Sequence, residues 1–203
     1  MLYKKCVNFS LFLRKCAILF VNDVGGKSPD FDATYRRKGP KMKYAYCNGK
    51  ILNGTKDMQV QEGLCILTDG GKIADIVPKE QVPAEYEAVD LAGKYIMPGL
   101  INMHVHLAGS GKPQKKQRDN AKLVRNLMGT ALSRAVAYKV VSGFAQTELM
   151  SGVTTIRTVG GLGDFDTRLR DEIKAGKIGP RILAANQGIS VPGGHMAGSV
   201  AVA

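Results

Sequence analysis

Pro98-Gly99-Leu100-Ile101-Asn102-Met103-His104-Val105-His106-Leu107 is the stretch on which the reading of this chain turns. Its apolar, β-branched character after a Pro-Gly break predicts a strand over 100–107. Strand side chains alternate faces, so Asn102, His104 and His106 share one face and Ile101, Met103, Val105 and Leu107 the other. The apolar face suits packing under helices, and the polar face suits a site. Two imidazoles two residues apart can converge on one cation, and imidazole suits zinc, iron or nickel. A bare His-x-His is nevertheless more often two solvated or hydrogen-bonded histidines than a metal site, and the spacing alone does not choose.

Downstream of this strand, helical and strand patterns alternate. Residues 118–150 are expected to be helical with a break near Gly129, placing Leu132, Ala135, Val136, Val140 and Gly143 on one face. Gly152 follows as a C-cap. Val153 to Val159 is β-branched and predicts a strand. Asp166 is expected to cap a helix carrying Leu169 and Ile173, with Gly176 after it. Arg181 to Ala185 predicts a third strand. The order βαβαβ implies parallel strands joined by right-handed crossovers.

Upstream, residues 42–97 read as short strands and turns. Leu64–Thr68 and Lys72–Val77 flank Asp69-Gly70-Gly71, a hairpin in which Gly takes a positive φ without steric cost. Asn48-Gly49 marks another turn. Val89–Leu91 and Tyr95–Met97 lie around Gly93, and the whole suggests a small sandwich or half-barrel. Residues 1–41 show no sustained period and are expected to be a poorly ordered, dispensable basic extension. A short amphipathic helix at 8–20 is the alternative.

The chain has 203 residues, with 44% hydrophobic and 23% charged, the balance of a globular protein rather than a disordered one. Its net charge of +12 invites a nucleic-acid reading. Half of that charge lies in residues 1–41, where nine Lys/Arg stand against three Asp. Aromatics are 6% and Trp is absent, so a base-stacking platform is not expected. Lys112 to Arg118 reads as a solvated basic loop. Gly26-Lys27-Ser28 lacks the first glycine of a phosphate loop, where Val21 stands, and Gly160-Gly161-Leu162-Gly163 reads as a turn. Cys6, Cys16, Cys47 and Cys65 form no Cys-x-x-Cys pair, which argues against a zinc ribbon and for a reducing compartment. No stretch approaches the roughly 18 apolar residues of a membrane span.

Taken together, three segments in order resemble the metal-dependent amidohydrolase superfamily. Pro98–Leu107 is similar to its first-strand motif. Gly152-Val153-Thr154-Thr155-Ile156-Arg157 with Gly160-Gly161 resembles a GVTTxRDxGG segment. Gly179–Ala185, Gly188-Ile189-Ser190 and Gly193-Gly194-His195 resemble the third-strand segment of the branch holding imidazolonepropionase-like enzymes and zinc-dependent Xaa-Pro dipeptidases. The resemblance covers residues 43–203.

That resemblance implies an α/β fold: the N-terminal part of a (β/α)8 hydrolase barrel, about three βα units over 98–203, preceded by a small β-sandwich portion over 42–97. It implies that His104 and His106 bind a divalent metal, usually Zn2+, one or two ions in the full-length protein. By position, at the C-terminal ends of the strands where the sites of such barrels gather, Arg157 and His195 are candidate substrate contacts, the alternatives being a salt bridge inside the barrel for Arg157 and an outer-layer or plain loop histidine for His195. The implied reaction is hydrolysis of a C–N bond in an Xaa-Pro dipeptide or cyclic amide. The implied partner is a small-molecule or dipeptide substrate, with a second copy as an option at full length; on charge, apolar-run length and cysteine pattern, neither nucleic acid nor membrane is expected, and the cytoplasm is the expected compartment. A barrel of this kind takes about 250 residues. The later metal ligands and the acid–base Asp are therefore expected beyond residue 203, leaving the chain by itself without a catalytic residue and inactive. Five positions depart from the pattern. Thr158 stands where GVTTxRD has Asp, Asn102 stands where many relatives have Asp, and Asn186-Gln187 with Pro192 differ from the usual third-strand loop.

Overall fold

The computed structural model describes residues 10–13, 16–21, 43–70, 72–109, 119–191 and 201–202. His195 and the Lys112–Arg118 loop lie outside the described residues. The chain divides into two units, one of residues 1–100 with 150–154, the other of 101–149 with 155–203.

The first unit holds two sheets. Strands β3 (Tyr44–Cys47), β6 (Leu64–Asp69), β7 (Lys72–Pro78) and β8 (Glu87–Asp90) form one, in the order β7-β6-β3-β8. Strands β1 (Ser10–Leu13), β2 (Cys16–Val21), β4 (Lys50–Leu52), β5 (Val60–Gln61) and β9 (Tyr95–Pro98) form the other, in the order β1-β2-β9-β4-β5. Tyr44, Tyr46 and Ile66 of the first sheet share a buried cluster with Ile51 and Ile96 of the second. β3 is buried on both faces, because Ala45 and Cys47 enter a second cluster with Cys65 and Leu67. The expected hairpin is present as β6–β7, with Gly70 at φ +53° in its turn. Asn48-Gly49 does not close a hairpin. The chain changes sheets there, since β3 pairs with β6 and β8 while β4 pairs with β5 and β9. A Cβ on Gly49 would lie 2.5 Å from Leu91 Cδ1 and 3.2 Å from Leu91 Cβ and the Lys94 carbonyl, so a larger residue at that corner would push its neighbours aside.

Within residues 1–41, 10–13 and 16–21 are strands, and β2 pairs antiparallel with β9 from Ile18↔Pro98 to Val21↔Tyr95. The apolar runs SLFL and CAILFV are short enough to be strands, and β9 offers them an edge. The cysteines are not all reduced. The β3–β6 register brings Cys47 and Cys65 to a Cα–Cα distance of 4.4 Å, joined by a disulfide. A separation of 18 residues gives no sign of this, because pairing follows strand register.

The second unit carries a sheet of three strands, β10 (Leu100–Val105), β11 (Val153–Thr158) and β12 (Arg181–Leu183), in the order β10-β11-β12. β11 and β12 are parallel, from Thr155↔Arg181 to Arg157↔Leu183. The Leu100 N–H donates to Gly152 O and the Val159 N–H to Val105 O, so β10 runs the same way. Three strands leave the sheet open, and no barrel is closed by these residues. Short strands β13 (Ile189–Ser190) and β14 (Ala201–Val202) pair in parallel.

Helix α1 (Asn120–Met128) starts at Asp119, whose side chain accepts from the Lys122 N–H. Helix α2 (Ala131–Met150) starts with a reciprocal cap, Thr130 Oγ1 accepting from the Ser133 N–H and Ser133 Oγ from the Thr130 N–H. Helix α3 (Phe165–Lys174) follows β11. The face of α2 that is buried differs from the expected one. Ala137, Val141, Ala145 and Leu149 are buried, whereas Leu132 is 78% and Val136 54% exposed. α2 is apolar around much of its circumference, and its buried side carries Ala137, Tyr138, Val141, Ala145 and Leu149. Tyr138 from that side meets Phe165 of α3 edge-on at 5.3 Å. Among the described residues no helix is long and apolar enough to cross a membrane.

Candidate active site

His104 sits near the C-terminal end of β10 and His106 just past it, both exposed, while Val105 and Leu107 between and after them are buried. The apolar side chains of this strand thus divide: Val105 and Leu107 anchor the end that carries the histidines, and Ile101 and Met103 remain exposed. The two imidazoles lie with centroids 5.2 Å apart, nearly perpendicular. Asn102 Oδ1 accepts from the His104 N–H at 3.2 Å, and its Nδ2 donates to Glu148 of α2 at 3.4 Å.

His106 is held by its ring. Nδ1 lies 3.0 Å from Gly160 O, and a carbonyl only accepts, so Nδ1 carries the proton and Nε2 the free lone pair. That is the state in which an imidazole can ligate a metal through Nε2. Gly160 has φ +147°, a conformation other residues rarely adopt, and the ring lies against the space where a Cβ would be.

Arg157, on β11, donates from Nε to Met103 O of β10 at 3.0 Å. This joins it to the strand that carries the histidines. The tie is to a neutral carbonyl, which orients the guanidinium without neutralising its charge. His195 lies outside the described residues.

Asp166 is not the helix cap expected from its position. Asp164 is the N-cap of α3, without a side-chain capping bond, and Asp166 is inside the first turn, 1% exposed. Among the described residues neither of its carboxylate oxygens has a well-formed hydrogen bond. Burial pushes its pKa up, against the opposing pull of the Thr158 hydroxyl, the Asn186 main chain and His106. Thr158 itself accepts from the Ala185 N–H at 2.9 Å and faces Leu183 O, stitching the exit of β12 to β11. Where the family pattern has a strand carboxylate at 158, this chain has a hydroxyl with a helix carboxylate beside it.

Three contributors to the site carry no site role in the sequence reading: Gly160, Asp166 and Asn186. The adjacent glycines after β11 are the available signal, since a pair of residues without Cβ marks close approach of other groups. Among the described residues no group of three or more His, Cys, Asp or Glu converges as a metal cage.

Known proteins with similar sequences and structures fit this arrangement. The amidohydrolase family profile matches residues 95–202. The chain is 28% identical over 136 residues to an imidazolonepropionase of Salmonella schwarzengrund, covering 60% of this chain and 33% of that one. It is 39% identical over 80 residues to a dihydroorotase of Bacillus cytotoxicus, covering 37% and 17%. It is similar to the crystal structure of an Xaa-Pro dipeptidase, at 31% identity and TM-score 0.58, covering 75% of this chain and 35% of that one. The chain thus spans about a third of the imidazolonepropionase and the dipeptidase, and less of the dihydroorotase. With the match running through β9, the histidine-bearing strand and both later strands of its sheet, this chain belongs to the amidohydrolase family.

Proposed function

We propose that the protein to which these residues belong is a metal-dependent hydrolase of C–N bonds, acting on an Xaa-Pro dipeptide or a cyclic amide. The observation that carries this is the pair of exposed imidazoles at the C-terminal end of β10, with His106 held so that Nε2 is free. His104 and His106 are the residues that would hold the metal, zinc being the ion such donors suit. The chemistry such an ion supplies when bound is Lewis-acid polarisation of a carbonyl and activation of water near neutral pH. The rest belongs to this chain's own groups. Gly160 O keeps the proton on Nδ1 of His106, Asn102 fixes the main chain under His104, and Arg157 offers a charge beside them for an anionic substrate group. His195 is proposed as a second substrate contact. The named activities of an imidazolonepropionase, a dihydroorotase and an Xaa-Pro dipeptidase all break C–N bonds, which supports the reaction class while leaving three substrate types to test.

The experiment is zinc titration of the chain and of His104→Ala and His106→Ala, with elemental analysis, beside hydrolysis assays on Xaa-Pro dipeptides and cyclic amides using the whole protein. Each substitution should lower zinc affinity by at least the roughly 10- to 100-fold that loss of an outer partner costs. With two candidate donors among the described residues, binding to this chain should be weak and readily stripped by chelator. Unchanged metal content in both variants would rule out the reading.

A further inference from the structure

We propose that Asn186 is a positioning residue for His106, acting through the Gly160–Gly161 peptide. The inference rests on the reading of His106 as a metal donor only for its consequence, not for its geometry. The peptide between the two glycines has both polar groups engaged. Its carbonyl, Gly160 O, accepts from Nδ1 of His106 at 3.0 Å, and its N–H, on Gly161, donates to Asn186 O at 2.7 Å. The peptide is planar, so its carbonyl cannot turn without breaking the bond on the N–H side. Two hydrogen bonds in line through one peptide also polarise each other.

Asn186 is itself held from the other side. Its Oδ1 accepts from the Thr167 N–H at 3.0 Å, in the first turn of α3, while Thr167 Oγ1, 3.1 Å away, has Asp164 O as its nearer acceptor at 2.9 Å. Those first-turn amides have no intrahelical acceptor, and Asp164 provides no side-chain cap here. A residue distant in sequence therefore caps the helix. Asn186 has φ +60°, the left-handed region that Asn tolerates better than other residues with a Cβ. α3 is a firm anchor, because Phe165, Leu169 and Ile173 are buried beneath it. The chain of contacts runs from the helix through the Asn186 side chain to its own carbonyl, then through the glycine peptide to the imidazole. Gly161 has no room for a side chain, since a Cβ would lie 2.8 Å from both Asp166 oxygens. The peptide is thereby confined between His106 and Asp166. The role of Asn186 is to keep Nδ1 protonated and Nε2 presented outward.

The test uses the whole chain without metal, at about pH 8, above the ordinary histidine titration. Nitrogen–proton NMR correlations of the imidazoles report the tautomer of each ring, and His106→Ala assigns the signal among the three histidines. The wild type should show His106 mainly as the Nδ1–H form. Asn186→Gly keeps the left-handed backbone and removes the latch, and its tautomer ratio should fall about fivefold, the worth of one neutral hydrogen bond. Asn186→Asp keeps an acceptor for Thr167 and should restore the wild-type ratio. Zinc affinity should follow the ratio, falling roughly tenfold in Asn186→Gly. A folded Asn186→Gly protein with an unchanged ratio would overturn the proposal. If that variant loses its fold, Asn186→Ala decides instead, by removing Oδ1 while keeping a Cβ; a shift in the same direction supports the role, and none overturns it. A wild type that binds no zinc while the ratio still responds to Asn186 would sink the metal reading and leave the positioning role standing.

Discussion

Gly161 shows how one missing atom shapes the site. A Cβ there would lie 2.8 Å from both Asp166 oxygens and 3.0 Å from its Cγ, and that carboxylate is buried. Gly161→Ala should therefore destabilise the protein by about 1–3 kcal/mol, the cost of overpacking a filled interior. Thermal unfolding checks it. A variant as stable as the wild type would mean that Asp166 rotates away at no cost. The neighbouring Thr158 makes a related point: its hydroxyl serves the β12 exit, a role that its position in the sequence does not announce.

At the scale of the element, α3 ties itself through Glu172 to Lys177, three residues past its own end. The Glu172 carboxylate accepts from Lys177 at 2.8 Å and from Arg168 at 3.1 Å, and Arg168 stacks 3.9 Å over the Tyr138 ring of α2. Lys177 chiefly, with the Tyr138 hydroxyl and Arg168, holds the Glu172 carboxyl down at about 2, against an ordinary 4.5. A depressed carboxyl stabilises the fold fully above its unfolded pKa and loses that contribution as pH falls through the folded one. The window is therefore pH 4.5 down to about 2. Glu172 is about a third exposed, so screening limits the contribution to about 1 kcal/mol. The stability difference between wild type and Glu172→Gln, measured by denaturant titration, should shrink by that amount across the window. A difference constant with pH would show that the cluster contributes no net charge interaction.

For the whole molecule, the strands in residues 1–41 set the expectation. β2 pairs with β9, the strand that leads directly through Pro98-Gly99 into β10. A chain beginning at Met42 would leave that edge of β9 unpaired and expose its main-chain groups. Its Tm should fall by more than about 4 °C, the shift that 1–2 kcal/mol brings in a chain of this size. Equal melting of the two forms would show that β1 and β2 add nothing to the sheet.

What could be read directly from residue order was local. Alternation along Leu100–Leu107 put His104 and His106 on one face, Asp69-Gly70 marked a hairpin, and the βαβαβ pattern indicated parallel strands, because each follows from a short-range period or a backbone preference. The sandwich pairing of β3 with β6 and β8, and hence the Cys47–Cys65 bond, depended on register between segments far apart in sequence. The buried face of α2 depended on which of two apolar sides its neighbours could approach. Above all, the hold on His106 joins residues 106, 160, 161, 167 and 186, each ordinary in its own neighbourhood. Hydrogen bonds of that kind form only when three strand ends and a helix terminus are brought to one edge of the sheet, which is the work of tertiary structure.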